Sequence, residues 1–355
     1  MRILKEIGYW CLVCMGLTWA AARFNRRKIL VLGYHDLYAD AVDPVDNFDG
    51  LRVGRDRFER QMRYVAARYH VVPLDQLLDP SVSSRDGKPL AAVTFDDGYK
   101  NVYRVAYPVL RQLGLPATVF VIPDFSLHGR MPWWERLRAL VAGTRRPVAI
   151  VPIQGMRRYV PLITVGDREE LLAQLAAELH RVPPEAREES LTRLAADLGA
   201  EERSEPRCAP LSVDELREII SGGITVGSHG RSHDSFLHLS YEALFAELTE
   251  SKQILELVTG QPVTWLAYPY GDYSGASIDA VRRAGYRGAV TTSPRLYDAA
   301  ADPHAIPRIC VDDKLSFAHF IVAVSGLGDF LKSVLRIGKV GRPEKALMPS
   351  DLAEE

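Results

Sequence analysis

The sequence predicts an α/β protein whose strands pair in parallel and curl toward a barrel. Three observations carry this expectation. Short apolar runs that end in polar residues recur along the chain, beginning with KILVLGYH (28–35) and AAVTFDDG (91–98). Stretches of helical spacing fall between them, as in 55–69, where Phe58, Met62, Val65 and Tyr69 share one face. Strands alternating with helices need right-handed crossovers, hence parallel pairing, and five or more such units in one domain favour closure.

Composition fits that class. The 355 residues are 47% hydrophobic and 25% charged, enough apolar surface for a sizeable core, which excludes a disordered chain. The length allows one large domain or two smaller ones. Lys and Arg number 44 against 45 Asp and Glu, a net charge of -1, which argues against a dedicated nucleic-acid binder. Four cysteines in a chain this long exclude a disulfide-framed scaffold.

Residues 1–27 stand apart as an N-terminal apolar and basic helix. The run 7–22, IGYWCLVCMGLTWAAA, has 16 residues, short of the ~20 that a membrane-crossing helix usually needs. Arg2 and Lys5 precede it, and Arg23, Arg26, Arg27 and Lys28 follow it. A basic stretch directly after the run fits a cleavable signal poorly. Two further readings remain: a membrane anchor, and a helix packed on the domain. If the run spans, the charge bias favours its C-terminal side in the cytoplasm. The expected location is therefore membrane-associated, with the cytoplasmic face favoured and a soluble cytoplasmic protein as the alternative. Cys11 and Cys14 lie inside the run, where a redox or zinc role lacks a polar setting, and they read as small buried hydrophobes.

Residues 28–340 form the expected barrel domain. After the first two runs, 101–114 reads as a helix stopped by Gly114, with Pro108 either kinking it or marking its true start. PATVFVI (116–122) reads as a strand. The beat resumes at 213–223, a helix with Ser212 as N-cap, followed by strand ITVGSHG (224–230). A long helix over 241–260 ends at Gly260. TWLAYPYG (264–271), a helix over 274–285 and GAVTT (288–292) complete the pattern. Residues 124–211 interrupt it and read as an insertion that caps the site. It holds a helix near Trp133 and Trp134, a hairpin of VAIVPI and RRYVPL across QGM, and helices near 168–181 and 185–198. Residues 316–337 are apolar and helical in pattern, with Asp329 and Lys332 arguing against a span, and 341–355 is a polar tail.

The chemistry collects where apolar runs stop, the edge at which parallel α/β folds build their sites. Thr94-Phe95-Asp96-Asp97-Gly98 sets two carboxylates side by side, which is costly without a positive neighbour. One can hold a metal while the other takes a proton from water; a plain Asp-Asp-Gly turn is the alternative. His229 and His233 are four residues apart, a ligand spacing, with Asp234 next. Two imidazoles and an aspartate make a facial set with open positions for water and substrate. In Tyr268-Pro269-Tyr270-Gly271, proline and glycine fix a path that can aim the Tyr270 N–H into a pocket; an aromatic turn is the alternative.

TFDDG, SHGRSH and YPYG, in that order on alternating strands and helices, resemble the motifs of the NodB-like polysaccharide deacetylases of carbohydrate esterase family 4. Gly33-Tyr34-His35-Asp36-Leu37 is similar to the first-strand motif of a membrane-linked, exopolysaccharide-modifying branch. The resemblance covers 28–123 and 212–311. It implies a distorted (β/α)7 barrel and hydrolysis of a non-peptide C–N bond, the N-acetyl group of an N-acetylglucosamine-containing glycan. It implies a divalent metal, most often Zn2+, held by Asp97, His229 and His233. Asp96 matches the general base, and Tyr270 the position whose backbone N–H holds the oxyanion.

Two positions depart from the family pattern. The arginine that tunes the base is expected three residues before Tyr270, where Ala267 stands. The histidine expected as general acid is missing from IPRICV (306–311). His35 is the preferred replacement and His304 the second, while a structural role for His35 stays open. Arg308 lies either near the site or on its rim, and Trp133 and Trp134 are either a sugar platform or core. The rival functions are a hydrolase of a different amide and an inactive carbohydrate-binding homologue.

Overall fold

The computed structural model describes residues 2–40, 44–79, 81–82, 87–153, 155–200, 209–328 and 330. Asp329, Lys332 and the tail 341–355 lie outside the described residues. Seven strands form the main run of an eight-stranded sheet: β1 (Leu30–Tyr34), β2 (Leu90–Phe95), β3 (Thr118–Val121), β4 (Thr225–Ser228), β5 (Trp265–Ala267), β6 (Gly288–Val290) and β7 (Ile309–Cys310); the short strand His70–Val71 pairs with β2 off this run. They run parallel in the order β6-β5-β4-β3-β2-β1-β7. The register is set by pairs such as Leu32 with Val93, Val119 with Val226 and Leu32 with Ile309.

The segment leading into β7 closes the ring. Ile306 bridges Val290 in parallel; its N–H donates to the Ala289 carbonyl at 2.9 Å, and its carbonyl accepts from the Thr291 N–H at 2.8 Å. One bridge is a thin seam, so the fold is a distorted (β/α)7 barrel. Alternate residues face opposite ways. Val31, Ala92, Phe120, Trp265 and Val290 belong to one buried cluster, whereas Leu30, Leu32, Tyr34 and Val93 join the larger core shared with the helices. Strands buried on both faces explain why the runs read as continuously apolar rather than alternating.

The helices follow their local signals. Arg55–Arg68 buries Phe58, Met62 and Val65. Pro108 sits in the first turn of helix Tyr107–Leu113, after a π-helical turn over Val102–Ala106, so it marks a start rather than a kink. Ser212 and Glu215 form a capping box on Val213–Ser221. Tyr241–Thr259 ends at Gly260, whose φ of 68° is left-handed.

The N-terminal run is not one helix. It forms α1 (Arg2–Cys14) and α2 (Leu17–Phe24), bent by 62° across a break where Gly16 has φ 74°. Among the described residues no single helix is long and apolar enough to cross a membrane. α1 packs on helix Phe317–Val324, with the Tyr9 and His319 rings stacked at 4.2 Å. Asn25 Nδ2 donates to the Ser325 and Gly326 carbonyls. Cys11 and Cys14 are exposed, which corrects the reading of them as buried: they lie on the side of α1 turned away from the barrel.

Within 124–211, helix α3 (Trp133–Gly143), the antiparallel hairpin Val148–Ile153 with Met156–Pro161, and helices Val165–Leu179 and Pro184–Leu198 surround their own apolar core. That core is separate from the barrel's and includes Trp133, Leu137, Val151, Leu172 and Leu194.

Candidate active site

Three loops carry the polar motifs at the C-terminal ends of β2, β4 and β5. Among the described residues three non-glycines have positive φ: Asp97 (70°), His233 (66°) and Tyr270 (59°). Each left-handed side chain costs ~1–3 kcal/mol, so one at each loop marks where the fold accepts strain to aim groups. Gly271, also at positive φ, is required sterically, because a Cβ there would collide with the Thr292 side chain.

Asp97, His229 and His233 converge. Their ligand atoms lie within 4.8 Å of one another and all three residues are buried. Asp97 Oδ1 is 3.5 Å from His229 Nε2 and 3.6 Å from His233 Nε2, and the two Nε2 atoms are 3.2 Å apart. His229 Nδ1 donates to the Ala267 carbonyl at 2.8 Å, which turns the Nε2 lone pair inward. Burial pushes the His229 imidazole down to about 4 against the pull of Asp96, and it holds His233 well below its usual value, with His229 adding to the effect. Burial, then the neighbouring Asp96, drives the Asp97 carboxyl well above its usual range. Asp97 Oδ1 is buried with no hydrogen-bond partner. Two neutral imidazoles and an orphaned carboxylate oxygen facing one point are what a cation site requires, and the donor set suits a divalent metal. Glu247 Oε1 fixes the histidine loop by accepting from the Arg231 and Ser232 N–H groups at 2.7 and 2.6 Å.

Asp96 is held differently. The Arg308 guanidinium grips both its oxygens at 2.7 Å and donates to Thr94 Oγ1 at 2.9 Å and to the Thr291 carbonyl at 3.0 Å. Burial alone would push the Asp96 carboxyl up, but Arg308, helped by His229, overrides it and keeps the group well below the usual carboxylate range. Arg308 is therefore in the centre, not on the rim. It arrives from the start of β7, and Ala267 stands where the family pattern has its arginine.

His35, at the end of β1, places Nε2 3.8 Å from Asp96 Oδ2. Burial lowers its pKa, opposed by Asp96, so the imidazole is neutral at neutral pH. His304 is engaged elsewhere, with Asp302 and the Tyr286 carbonyl. Tyr270 accepts a 2.6 Å hydrogen bond from Trp133 Nε1 on its hydroxyl, and its ring centroid lies 4.5 Å from that of His233. No described group accepts from the Tyr270 N–H.

The insertion covers this end of the ring. The Trp134 ring lies 4.6 Å from His233, and its indole N–H donates to the Tyr99 hydroxyl at 2.8 Å. Trp133 is buried in the insertion core, while Trp134 lines a cavity of ≈ 20 Å³ together with His35, Asp97 and Tyr99. That is room for about one water. Beside it runs a buried charge network that the sequence reading missed. Glu135 accepts from Tyr99 and Arg138, Arg138 pairs with Asp49 at 2.9 Å, and Arg52 lies 3.5 Å from both Asp36 and Glu135. The available signal was Glu135 and Arg138 one turn apart on an otherwise apolar helix.

The polysaccharide deacetylase family model matches residues 83–143 and 185–289. The chain is 20% identical over 295 residues to YxkH of Bacillus subtilis (strain 168), covering 82% of this chain and 75% of that protein. Among solved structures it is similar to the Streptococcus pyogenes deacetylase PplD in complex with acetate (18% identity, TM-score 0.56, 84% of this chain and 98% of that one). It is also similar to BC0361, a polysaccharide deacetylase from Bacillus cereus (20% identity, TM-score 0.53, 84% and 69%). At these identities the structures speak for the fold, and the motifs speak for the family. With TFDDG, SHGRSH and YPYG gathered at one end of the ring, and the family model matching on both sides of 144–184, the chain carries a polysaccharide deacetylase domain.

Proposed function

We propose that this protein is a metal-dependent hydrolase that removes N-acetyl groups from an N-acetylglucosamine-containing glycan and releases acetate. The observation that carries the reading is the convergence of Asp97, His229 and His233 beside an aspartate that stays ionised. A divalent cation, best matched by Zn2+, would be held by those three side chains and would supply Lewis acidity to the acetyl carbonyl and to the attacking water. Asp96 is the general base. Its Oδ2 faces the cluster, 4.0 Å from His229 Nε2, and takes the proton of the water. A carboxyl held so firmly ionised does not keep a proton. Neutral His35, 3.8 Å away, collects it and passes it to the leaving amine. The Tyr270 N–H steadies the oxyanion. Arg308 acts through Asp96 as a positioning residue.

Both departures from the family pattern thus have replacements within reach of Asp96, which weakens the case for an inactive homologue. The cavity holds about one water, so a sugar enters only when the Trp134 side of the insertion moves outward. The test is acetate release from N-acetylated oligosaccharides by the zinc-loaded protein. Asp96→Asn is expected to keep its metal and lose about 10²–10⁴-fold in rate. Release of formate or another acid instead of acetate would move the substrate to a different amide, and unchanged activity in Asp96→Asn would overturn the base assignment.

A further inference from the structure

Seven of the large apolar side chains that this protein exposes lie within residues 4–24. Leu4 is 74% exposed, Trp19 73% and Phe24 60%. On α1 the residues Leu4, Ile7 and Cys11 recur at helical spacing on the outward side, with exposed Met15 just past its end, whereas Tyr9, Leu12 and Val13 turn toward the barrel and are half-buried. A surface helix ordinarily shows water its polar face. Here the outward face is the apolar one. Arg23, Arg26 and Arg27 are exposed at the end of this face and Lys28 is half-buried; none of the four forms an ion pair among the described residues.

We propose that α1 and α2 dock this protein on an anionic phospholipid surface, lying in the plane of the interface rather than crossing it. At 1.5 Å per residue, helices of 13 and 8 residues are about 20 and 12 Å long, against a hydrocarbon core of about 30 Å. The 62° bend keeps them from adding end to end. The inner side of α1 is fastened to the barrel through Tyr9 on His319, and α2 through Asn25 on the Ser325 and Gly326 carbonyls. What remains free is an apolar face that carries exposed Trp10 and Trp19 and ends in a cationic cluster. That is the chemistry of an interfacial helix on negatively charged lipid. α2 leads through Asn25–Ile29 into the N-terminal end of β1, while the candidate catalytic residues sit at the opposite ends of the strands. Docking by this face therefore leaves the site end of the strands away from the lipid.

Flotation of the full chain with vesicles of phosphatidylcholine mixed with phosphatidylglycerol tests the proposal. The protein is expected to float with mixed vesicles, more weakly with pure phosphatidylcholine, and less as salt rises. Brominated lipids are expected to quench Trp10 and Trp19 most strongly when the bromines sit near the headgroups, and W10F/W19F should remove that quenching. Leu4→Glu with Ile7→Glu and Trp19→Glu should lower the bound fraction by about tenfold without changing the thermal melt, because these side chains face outward. R23Q/R26Q/R27Q should abolish the preference for anionic lipid. The proposal is overturned if the glutamate variant floats like wild type, if deep bromines quench best, as for a span, or if the chain ignores vesicles and light scattering shows a dimer that the glutamate variant abolishes.

Discussion

Asp96 and Asp97 are neighbours in the chain and opposites in their surroundings. Asp96 has both oxygens gripped by Arg308 and is kept ionised. Asp97 has a buried oxygen without a partner, and burial drives its carboxyl up. One is a satisfied ion pair, the other a site waiting for positive charge. The difference teaches that role follows the partner: Arg308 comes from 212 residues away in the chain, and His229 and His233 from a third loop.

The sharpest way to break this contrast is to remove the unsatisfied side. Asp97→Ala and His229→Ala are expected to lose bound metal and to reduce acetate release to background, measured by metal analysis alongside turnover. Retained stoichiometric metal in either would merge the two aspartates into one structural pair.

Removing the satisfied side has a smaller and different effect. Arg308→Gln leaves a buried carboxylate without its charge partner, and is expected to cost about 3–5 kcal/mol of stability at neutral pH. Metal binding should survive. The sign of the pH effect follows from Asp96. Its folded pKa lies below the unfolded value, so its contribution to stability is full above the unfolded pKa and is lost as pH falls toward the folded one. Without Arg308 the pKa rises, so the acid limb of the activity profile should move to higher pH. Arg308→Lys should restore part of that shift. A rate loss with no change in the profile would make Arg308 merely structural.

The smallest expected effect concerns the cover. Trp134→Phe deletes the hydrogen bond to Tyr99 and should cost about 1 kcal/mol, read as a lowered melting temperature. It should change KM for a glycan more than it changes metal content. An effect on metal equal to that of His229→Ala would make the insertion part of the cation site.

Much of this was legible in the chain because the signals are local. TFDDG, SHGRSH and YPYG are short, sit at the ends of buried runs, and contain the three side chains that converge and the turn beside them. The helices announce their ends through Ser212, Gly114 and Gly260. Less local features were not legible. IPRICV shows only that the expected histidine is missing, and nothing in it says that Arg308 reaches Asp96 across the ring. Hydropathy over 7–22 measures how apolar a segment is, not where it points, so the bend at Gly16 and the outward face of α1 were hidden. The Glu135–Arg138 pair has meaning only with Asp49, Arg52 and Tyr99 packed against it.

The central claim is that one cation sits between Asp97, His229 and His233. Anomalous diffraction at the zinc edge from zinc-loaded crystals tests it most directly. The account predicts a single strong peak about 2.0–2.2 Å from an Asp97 oxygen and from the Nε2 atoms of both histidines. A peak elsewhere, or none beside these three side chains at full zinc loading, would contradict it.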